Sequence, residues 1–288
     1  MPNKVAILTD STAYLPPELL KQYNITVVPL SVIWGEQSYQ DGVDIQPGEF
    51  YTRLKESKVT PTTSQATVGA MQVAFQSLLE RGYDVLGMFI SSGISGTVQS
   101  AIQARDMMPE AAHAQRIAIV DSCLTTMALG WSVLTVARAA HAGENMAACV
   151  RVAENARDHS GVIFVVDTLE YLRRGGRVSG GQAVLGNVLQ IKPILEMRNG
   201  KIESVEKVRT KRKAIERMLE LVDEKMGGQR PVRIAVTHAN SEVEATSVLE
   251  MAKARFNPVE AFCAPLSPVI GTHAGPGTIV LNYMSGIA

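Results

Sequence analysis

The sequence predicts an α/β protein of two domains: an N-terminal three-layer domain with a mostly parallel sheet, and a C-terminal α/β domain with a mixed sheet. The chain has 288 residues, which is enough for two domains of ordinary size. Strand-like and helix-like segments alternate over the first half, and this alternation calls for parallel strands. In the second half, Asn199-Gly200 lies between alternating residues and signals an antiparallel hairpin. We therefore place the domains at 1–160 and 161–288.

In the first domain, short apolar runs predict the strands, and amphipathic runs predict the helices. The predicted strands are 5–8, 25–34, 84–90 and 116–120. The predicted helices start at Pro16-Pro17, near Pro47, after a loop at 61–67, at Thr97, after Asp121-Ser122 and at 145. Proline suits a first helical turn because its missing N–H has no partner there anyway. The apolar stretch 127–137 is too short to cross a bilayer, so it predicts a buried helix.

In the second domain, three apolar runs predict strands at 161–167, 233–238 and 279–284. The hairpin spans 194–208 and a helix begins near Thr210. The segment GTHAGPG at 271–277 is predicted to be a glycine-rich loop whose backbone can approach a ligand closely.

The composition excludes several classes of protein. The 28 basic and 28 acidic side chains give a formal net charge of +0, which argues against nucleic acid as a partner. The three cysteines are far apart and odd in number, so neither a disulfide framework nor a zinc site is expected. Free thiols and the lack of a visible signal peptide favour a cytoplasmic protein without stable membrane insertion. No motif indicates a cofactor.

A hydroxyl-rich turn, SSGISGTVQSA at 91–101, follows an apolar strand and leads into a helix. The first N–H groups of a helix lack partners and lie at the positive end of its dipole, so such a turn can bind a small anion. Ser92, Ser95 and Gly96 are therefore candidate ligand-binding residues. Thr62 and Thr63 precede another helix and could face the same crevice. An N-cap is the simpler interpretation of either loop alone, whereas the two together favour a ligand site.

The motifs around the turn limit which anion fits. Neither G-x-G-x-x-G nor G-K-[ST] is present, and the loop carries no cation, so a carboxylate fits better than a nucleotide phosphate. His273 is predicted to donate to the same anion. A Ser/His hydrolase using Ser95 and His273 remains an alternative, although the turn is one residue short of G-x-S-x-G. A regulatory domain that binds a nucleotide or sugar phosphate is a further alternative.

Acidic and basic clusters complete the candidate features. Asp10, Asp121 and Asp167 end strands, and capping explains them better than metal binding does. Basic residues crowd 207–213 and 173–177, and the first cluster lies at the positive end of a predicted helix. These clusters predict either a solvated surface or a docking surface for an acidic or phosphorylated partner.

Six segments together resemble the DegV family, and within it the FakB-type bacterial fatty-acid-binding proteins. They are TDSTAYLP at 9–16, PTTSQAT at 61–67, SSGISGTVQSA at 91–101, LEYLRRGGRVSG at 169–180, KVRTKRKAI at 207–215 and GTHAGPG at 271–277. The resemblance covers almost the whole chain in order. It implies two α/β domains with a long-chain fatty acid between them. It also implies a non-enzymatic partner of a separate ATP-dependent fatty acid kinase, whose acyl phosphate product enters phospholipid synthesis.

The resemblance also assigns roles to particular residues. It implies that Thr62 or Thr63, Ser95 and His273 hold the carboxylate. It further implies that Arg173 and Arg209 meet the kinase or the acyl phosphate. Two positions depart from the usual family pattern: Ala66 stands where proline is usual, and Val98 where tyrosine is common. Neither change removes a hydroxyl ligand of the carboxylate, but both could alter the shape of the pocket.

Overall fold

The computed structural model describes residues 3–178 and 191–288. It contains a four-stranded sheet, a six-stranded sheet and a smaller three-stranded sheet. The predicted fold class is confirmed, because the N-terminal sheet is parallel and the C-terminal sheet is mixed. The domain division after residue 160 stays a prediction.

The first half alternates strands and helices as predicted. Its strands are β1 (Val5–Asp10), β2 (Thr26–Val28), β3 (Ser31–Trp34), β4 (Gln37–Gln40), β5 (Thr62–Ser64), β6 (Asp84–Phe89) and β7 (Ile117–Asp121). Its helices are α1 (Pro17–Gln22), α2 (Pro47–Glu56), α3 (Val68–Glu80), α4 (Thr97–Asp106), α5 (Ala111–Ala114), α6 (Thr126–His141) and α7 (Met146–Asp158), with a 3₁₀ turn at Ser11–Ala13. The parallel sheet has the order β2-β1-β6-β7. The helix pairs α3–α4 and α6–α7 pack against it.

Two predictions for this half are wrong. The single strand predicted at 25–34 is two strands, because Pro29 lacks an N–H and restricts the backbone of Val28. Of these, β2 joins the parallel sheet, while β3 pairs antiparallel with β4 and β5. The loop predicted at 61–67 contains β5, which fixes the direction of each threonine side chain in it.

The second half forms the mixed sheet. Its strands are β8 (Ser160–Val165), β9 (Lys192–Arg198), β10 (Lys201–Val208), β11 (Val232–His238), β12 (Glu260–Pro265) and β13 (Ile279–Ser285), in the order β10-β9-β8-β13-β11-β12. Its helices are α8 (Glu170–Arg174), α9 (Lys211–Met226), α10 (Glu242–Phe256) and α11 (Pro268–Ala274). The predicted hairpin is confirmed, since Arg198 pairs with Lys201 across the turn. The predicted start of α9 is also confirmed, because the Thr210 hydroxyl caps it by accepting from Lys213 N.

The glycine-rich segment 271–277 is not a loop throughout. Its first four residues complete helix α11, which places His273 in the last helical turn. The helix starts with Pro268 after Ser267, a common N-terminal pairing of residue types, and it ends at Gly275 with a φ of 77°. The sequence does not predict this helix, because glycine and histidine are poor helix formers. His273 therefore projects from the helical backbone of α11 and not from a flexible loop.

The two faces of the six-stranded sheet pack against different partners. Side chains alternate along each strand, so Ile163 and Val165 of β8 face α9 and α10, while Val162 and Phe164 face the first half. Helix α6 contacts both main sheets and is buried on nearly all sides. Its predicted burial is confirmed, since a helix that is apolar all round is a core helix. No helix in the described ranges is long and apolar enough to cross a membrane.

Candidate functional site

A cavity lies between the six-stranded sheet and the first half of the chain. It encloses about 720 Å³ of empty space, part of which is open to solvent. The residues that line it, in chain order, are Leu30, Thr63, Ser64, Gln65, Ile90, Ile94, Ser95, Thr125, Thr126, Val162, Phe164, Leu172, Arg177, Met197, Ile202, Val269, Ile270, His273, Ala274 and Val280. Most of the lining is aliphatic, so the cavity suits an apolar ligand.

The apolar floor of the cavity comes from alternate positions on neighbouring strands. Val162 and Phe164 project from β8, Val280 from β13, and Met197 and Ile202 from the hairpin β9–β10. These strands pair side by side, so their side chains form one continuous surface. The sequence pattern produces this surface directly, because the same alternation sends the intervening residues into the helix-covered core.

Thr63 and His273 form the polar pair at the cavity. The Thr63 hydroxyl and His273 Nε2 are 2.7 Å apart, although 210 positions separate the two residues. Strand β5 explains why Thr63 is the residue that reaches the histidine. Thr63 pairs with Val32, whose side chain is fully buried, whereas Thr62 pairs with Ile33, whose side chain is exposed. The strand's alternation therefore points Thr63 inward.

The environment of His273 keeps its imidazole neutral. Burial, with a smaller contribution from the charge of Arg177, lowers the pKa of His273 to about 4. Its Nδ1 atom is buried and has no hydrogen-bond partner among the described residues. A proton on Nδ1 would be an unpaired buried donor, so the geometry favours the tautomer in which Nε2–H donates to Thr63 Oγ1. The hydroxyl proton of Thr63 is then available to a ligand.

Close backbone packing fixes the plane of the His273 ring. A Cβ atom added to Gly175 would lie 2.1 Å from His273 Nδ1, so only glycine allows the end of α8 to lie against the ring. This packing contact covers Nδ1, the second ring nitrogen, without forming a hydrogen bond to it. His273 therefore interacts through Nε2 alone, and its closest polar neighbour there is Thr63.

Ser95 lines the cavity but is not paired with the histidine. Its Oγ atom is 2.9 Å from Thr97 Oγ1 and accepts a bond from Thr97 N at 3.3 Å. The interpretation of this turn as a helix cap is thus partly right, because Ser95 accepts a hydrogen bond from the first residue of α4. A hydrolase would need His273 as the base for Ser95, but His273 Nε2 is bonded to Thr63 instead.

The other three predicted ligand residues lie in the described ranges but do not line the cavity. Thr62 and Ser92 are exposed, and the Ser92 N–H donates to the carboxylate of Asp121. Gly96 is also exposed, and its Cα faces the side chain of Gln65, which does line the cavity. The structure thus brings together Thr63, Ser95 and His273 but leaves the other three outside.

Arg177 is a cavity residue that sequence reasoning assigned only to a basic surface cluster. It lies two residues after Gly175, and its Nε donates to the Ile94 carbonyl at 3.2 Å. The Gly-Gly-Arg run is the sequence signal for this position, because the two glycines end a short helix with a turn. Gly176 has a φ of 67°, a left-handed conformation that glycine allows at little cost. The turn carries Arg177 back towards the loop 91–97.

Buried polar groups of the first half hold α11 in place. Asp41 Oδ1 accepts from Val269 N in the first turn of α11 at 3.2 Å. The Tyr14 hydroxyl donates to Ser267 Oγ and accepts from Ser267 N, and the Tyr51 hydroxyl donates to the Leu266 carbonyl. Burial raises the pKa of Asp41 to about 6. These contacts set the position of the helix and hence of His273.

The acidic residues at strand ends hold loops together. Asp10 caps the 3₁₀ turn by accepting from Thr12 N, and it also accepts from Ile90 N. Asp121 accepts from Cys123 N within its loop and caps no helix, because the N-cap of α6 is Thr125. Asp167 differs from the prediction, because it forms an ion pair with Lys192 at 2.8 Å and does not cap a helix. The described residues contain no cluster of side chains able to hold a metal ion.

The two basic clusters are partly neutralised within the chain. Lys211 pairs with Glu244, and Arg212 and Arg174 pair with acidic residues one turn along their own helices. Arg173 and Arg209 are exposed, and neither forms an ion pair within the described ranges. Their contact with a partner stays a prediction. Ser179 and Gly180, which end the motif LEYLRRGGRVSG, lie outside the described residues.

Known proteins of the same architecture match the whole chain. It is 37% identical to Protein DegV of Bacillus subtilis over 277 residues, which is 96% of this chain and 97% of that protein. The structure of DegV of Bacillus subtilis, described as a fatty acid binding protein, has a TM-score of 0.88 at 36% identity, with coverages of 98% and 99%. A fatty-acid-binding DegV family protein of Thermus thermophilus has a TM-score of 0.90 at 32% identity, with the same coverages.

A model of one protein family matches residues 4–285, which is nearly the complete chain. Its description reads "Uncharacterised protein, DegV family". This match, the sequence relative and the two structures all agree with the motifs that carried the resemblance. The chain belongs to the DegV family.

Proposed function

We propose that this protein binds a long-chain fatty acid in the cavity between its two halves, with the carboxylate beside Thr63, Ser95 and His273. One observation carries the proposal: a largely apolar cavity has on its lining a threonine hydroxyl bonded to a neutral imidazole, together with the hydroxyl of Ser95. A ligand that matches this lining has one polar head group and a long apolar tail.

The apolar tail supplies most of the binding free energy in this proposal. Each methylene group moved from water into the cavity contributes about 0.8 kcal/mol, so some fifteen contribute roughly 12 kcal/mol before the entropic costs of binding. Hydrogen bonds at the head group then fix where the chain lies in the cavity. The two related structures described as fatty-acid-binding proteins support this choice of ligand.

We extend the proposal to a non-enzymatic role in the cytoplasm. The protein presents its bound acid to a separate ATP-dependent fatty acid kinase, which makes an acyl phosphate for phospholipid synthesis. We assign Arg173 and Arg209 to this step because they are exposed and carry charges that no acidic side chain of the described residues neutralises. The hydrolase alternative is less favoured, because Ser95 and His273 bond to different partners.

The ligand is tested by extraction and mass spectrometry of the protein purified from lipid-containing cells. We expect about one long-chain acid per chain. The double variant Thr63→Val with Ser95→Ala should retain much less, since a lost hydrogen bond to a charged group costs about 1.5–3 kcal/mol. The matched control is Thr62→Val with Ser92→Ala, which changes the exposed neighbours. A bound nucleotide, no lipid in the wild type, or equal loss in both double variants would contradict the proposal.

Presentation to a kinase is tested on the same preparations with the fatty acid kinase of the same organism. Arg173→Glu and Arg209→Glu should leave lipid occupancy and thermal stability unchanged. Phosphorylation of the bound acid should fall sharply, because like charges at an interface cost several kcal/mol. Arg230→Glu makes the same charge change at an exposed residue outside the proposed surface. Unchanged turnover in both variants would assign Arg173 and Arg209 to ordinary solvated surface.

A further inference from the structure

We infer that the cavity has a second polar subsite at Thr125, away from the head group, and that this subsite takes a hydroxyl group carried part-way along the acyl chain. The subsite rests on the proposed function, because it would bind the tail of the same ligand. Fatty acids with a mid-chain hydroxyl group are therefore the class of ligand that the cavity fits.

The Thr125 hydroxyl is a buried polar group that lacks a partner. Thr125 borders the cavity, and only 6% of the residue is exposed. Its Oγ1 atom has no hydrogen-bond partner within residues 3–178 and 191–288. Most buried hydroxyl groups are paired, because an unpaired one loses its bonds to water without replacement. A ligand oxygen beside Thr125 would supply the missing partner.

Helix capping does not account for this threonine. Thr125 is the N-cap residue of the sixteen-residue helix α6, yet its side chain forms no capping hydrogen bond. The start of α6 is held instead by Asn282, whose Oδ1 accepts from the Thr126 hydroxyl and, at 3.3 Å, from Ala128 N. The Thr125 hydroxyl therefore does not perform the role that threonine usually has at this position.

The surroundings of Thr125 favour a neutral oxygen over an apolar group or a second carboxylate. The first turn of α6 lies at the positive end of the helix dipole, which favours an oxygen acceptor. Thr126 also borders the cavity, but its hydroxyl is bonded to Asn282 and to the Thr125 carbonyl. The nearby cavity residues Val162 and Met197 are uncharged, so a buried carboxylate would gain no counter-ion from them.

The register of the sheet places Thr125 at a different level from His273. Asn282, which holds the start of α6, is the fourth residue of β13 and pairs with Val162 of β8. His273 belongs to α11, which ends before β13 begins at Ile279. The three residues of strand from Ile279 to Asn282 cover roughly 10 Å. With the carboxylate beside His273, Thr125 would therefore meet the middle of the acyl chain and not its first few carbon atoms.

A water molecule is the competing partner for the Thr125 hydroxyl. In that interpretation the water fills part of the free cavity, and any acyl chain displaces it. The two interpretations differ in how a hydroxylated chain binds. A subsite compensates the chain's hydroxyl group for the water that it loses, whereas a merely hydrated threonine gives that chain no advantage that depends on Thr125.

The experiment compares stearic acid with 3-, 10- and 12-hydroxystearic acid, which share its chain length and head group. Binding to delipidated protein is measured at pH 7.5 by displacement of a fluorescent fatty acid. We expect the wild type to bind the 10- or the 12-hydroxy acid at least as tightly as stearic acid. In Thr125→Val, affinity for that hydroxy acid should fall by about 10- to 100-fold, because its buried hydroxyl group loses a partner. Affinities for stearic acid and for the 3-hydroxy acid should change by less than about threefold.

Three further variants control for shape, folding and position. Thr125→Ser keeps the hydroxyl group and should keep the affinity for the hydroxy acid. Thr125→Ala removes it and should show the same loss relative to stearic acid, so it tests the inference even if Thr125→Val does not fold. Thr135→Val removes a hydroxyl group from the same helix at a residue that is bonded to the Trp131 carbonyl and does not line the cavity, so every affinity should stay the same.

Stearic acid separates this inference from the function on which it rests. If the wild type binds stearic acid more tightly than both the 10- and the 12-hydroxy acid, fatty acid binding stands and the subsite at Thr125 is wrong. An equal ratio of affinities in the wild type and Thr125→Val, or the same loss in Thr125→Ser, would also overturn the inference. If the wild type binds none of the acids, both proposals fall.

Discussion

Both faces of the six-stranded sheet bury apolar side chains, but the two faces have different surroundings. On one face, Ile163, Val165 and Leu281 pack into a closed core under α9 and α10. On the other face, Val162 and Phe164 border the cavity. Both sets of side chains are almost fully buried, so burial alone does not distinguish a closed core from a binding cavity.

The difference arises from what covers each face. Two long amphipathic helices can follow the twist of a sheet and fill the space above it. The opposite face is covered in part by α6, and around the cavity by loops, by the short strand β5 and by the seven-residue helix α11, which carry fixed polar groups. Short elements of this kind leave space above the sheet.

The largest effect is expected from truncating isoleucine on each face. Ile163→Ala on the closed face should lower the free energy of unfolding by about 2–5 kcal/mol, because it leaves a void in a filled core. Ile202→Ala on the cavity face should cost less in the delipidated protein, since its side chain already borders empty space. Urea denaturation of both variants measures the difference. Equal losses without ligand would mean that the two faces are packed alike.

A pH effect is expected from His273 on the cavity face. Its pKa is about 4 in the folded protein and near 6.5 in the unfolded chain, so between these values the unfolded state binds more protons. Stability should therefore fall as the pH decreases from about 6.5 to 4, by up to about 3 kcal/mol relative to His273→Gln.

The variant comparison isolates His273 from Asp41. The pKa of Asp41 is raised to about 6 by burial, so its contribution has the opposite sign and stabilises the fold on acidification. Because Asp41 is present in both proteins, its effect cancels in the difference. Thermal unfolding at intervals between pH 7.5 and 4 gives the two curves. Parallel curves would show that His273 titrates normally.

Enlarging valine on each face should produce opposite outcomes. Val165→Phe overpacks the closed core and should destabilise the protein by about 1–3 kcal/mol. Val162→Phe, three residues earlier on the same strand, projects into the cavity and should leave stability nearly unchanged while reducing fatty acid affinity. Calorimetric binding and thermal unfolding are measured on both. Tight lipid binding by Val162→Phe would place the ligand elsewhere.

The smallest effect is expected from a helix cap on the closed face. The Thr210 hydroxyl caps α9, so Thr210→Ala should cost about 1 kcal/mol of stability. Lipid affinity should stay the same, because α9 lies on the side of the sheet away from the cavity. Thr210→Ser retains the hydroxyl and is the control. A large change in lipid affinity would show that the two faces are coupled.

The sequence predicted the elements that follow one strong local rule. The Asn-Gly hairpin, the buried helix α6 and the parallel strands of the first half depend on turn chemistry or periodicity, and all are present. The short elements α8 and α11 were missed because glycine-rich and charged segments carry little local preference for a helix. Strand β5 was taken for a loop, since three threonine and serine residues show no apolar alternation.

Only part of the candidate site could be predicted, because the rest of it also lacks a strong local signal. Residue types indicated Thr63, Ser95 and His273, but only the register of β5 distinguishes Thr63 from Thr62. Arg177 shows the limit of a local reading, since it looks like one more residue of a basic cluster. Its place on the cavity follows from a turn after α8 and from packing between segments more than eighty positions apart. Such contacts depend on the whole fold.

The most direct test of the account is a crystal structure of the protein with the fatty acid that co-purifies with it. We expect the acyl chain to cross the cavity over Val162, Phe164 and Val280, and a carboxylate oxygen to lie within about 3.2 Å of Thr63 Oγ1. A carboxylate at the opposite end of the cavity, or an acyl chain bound outside it, would contradict the account.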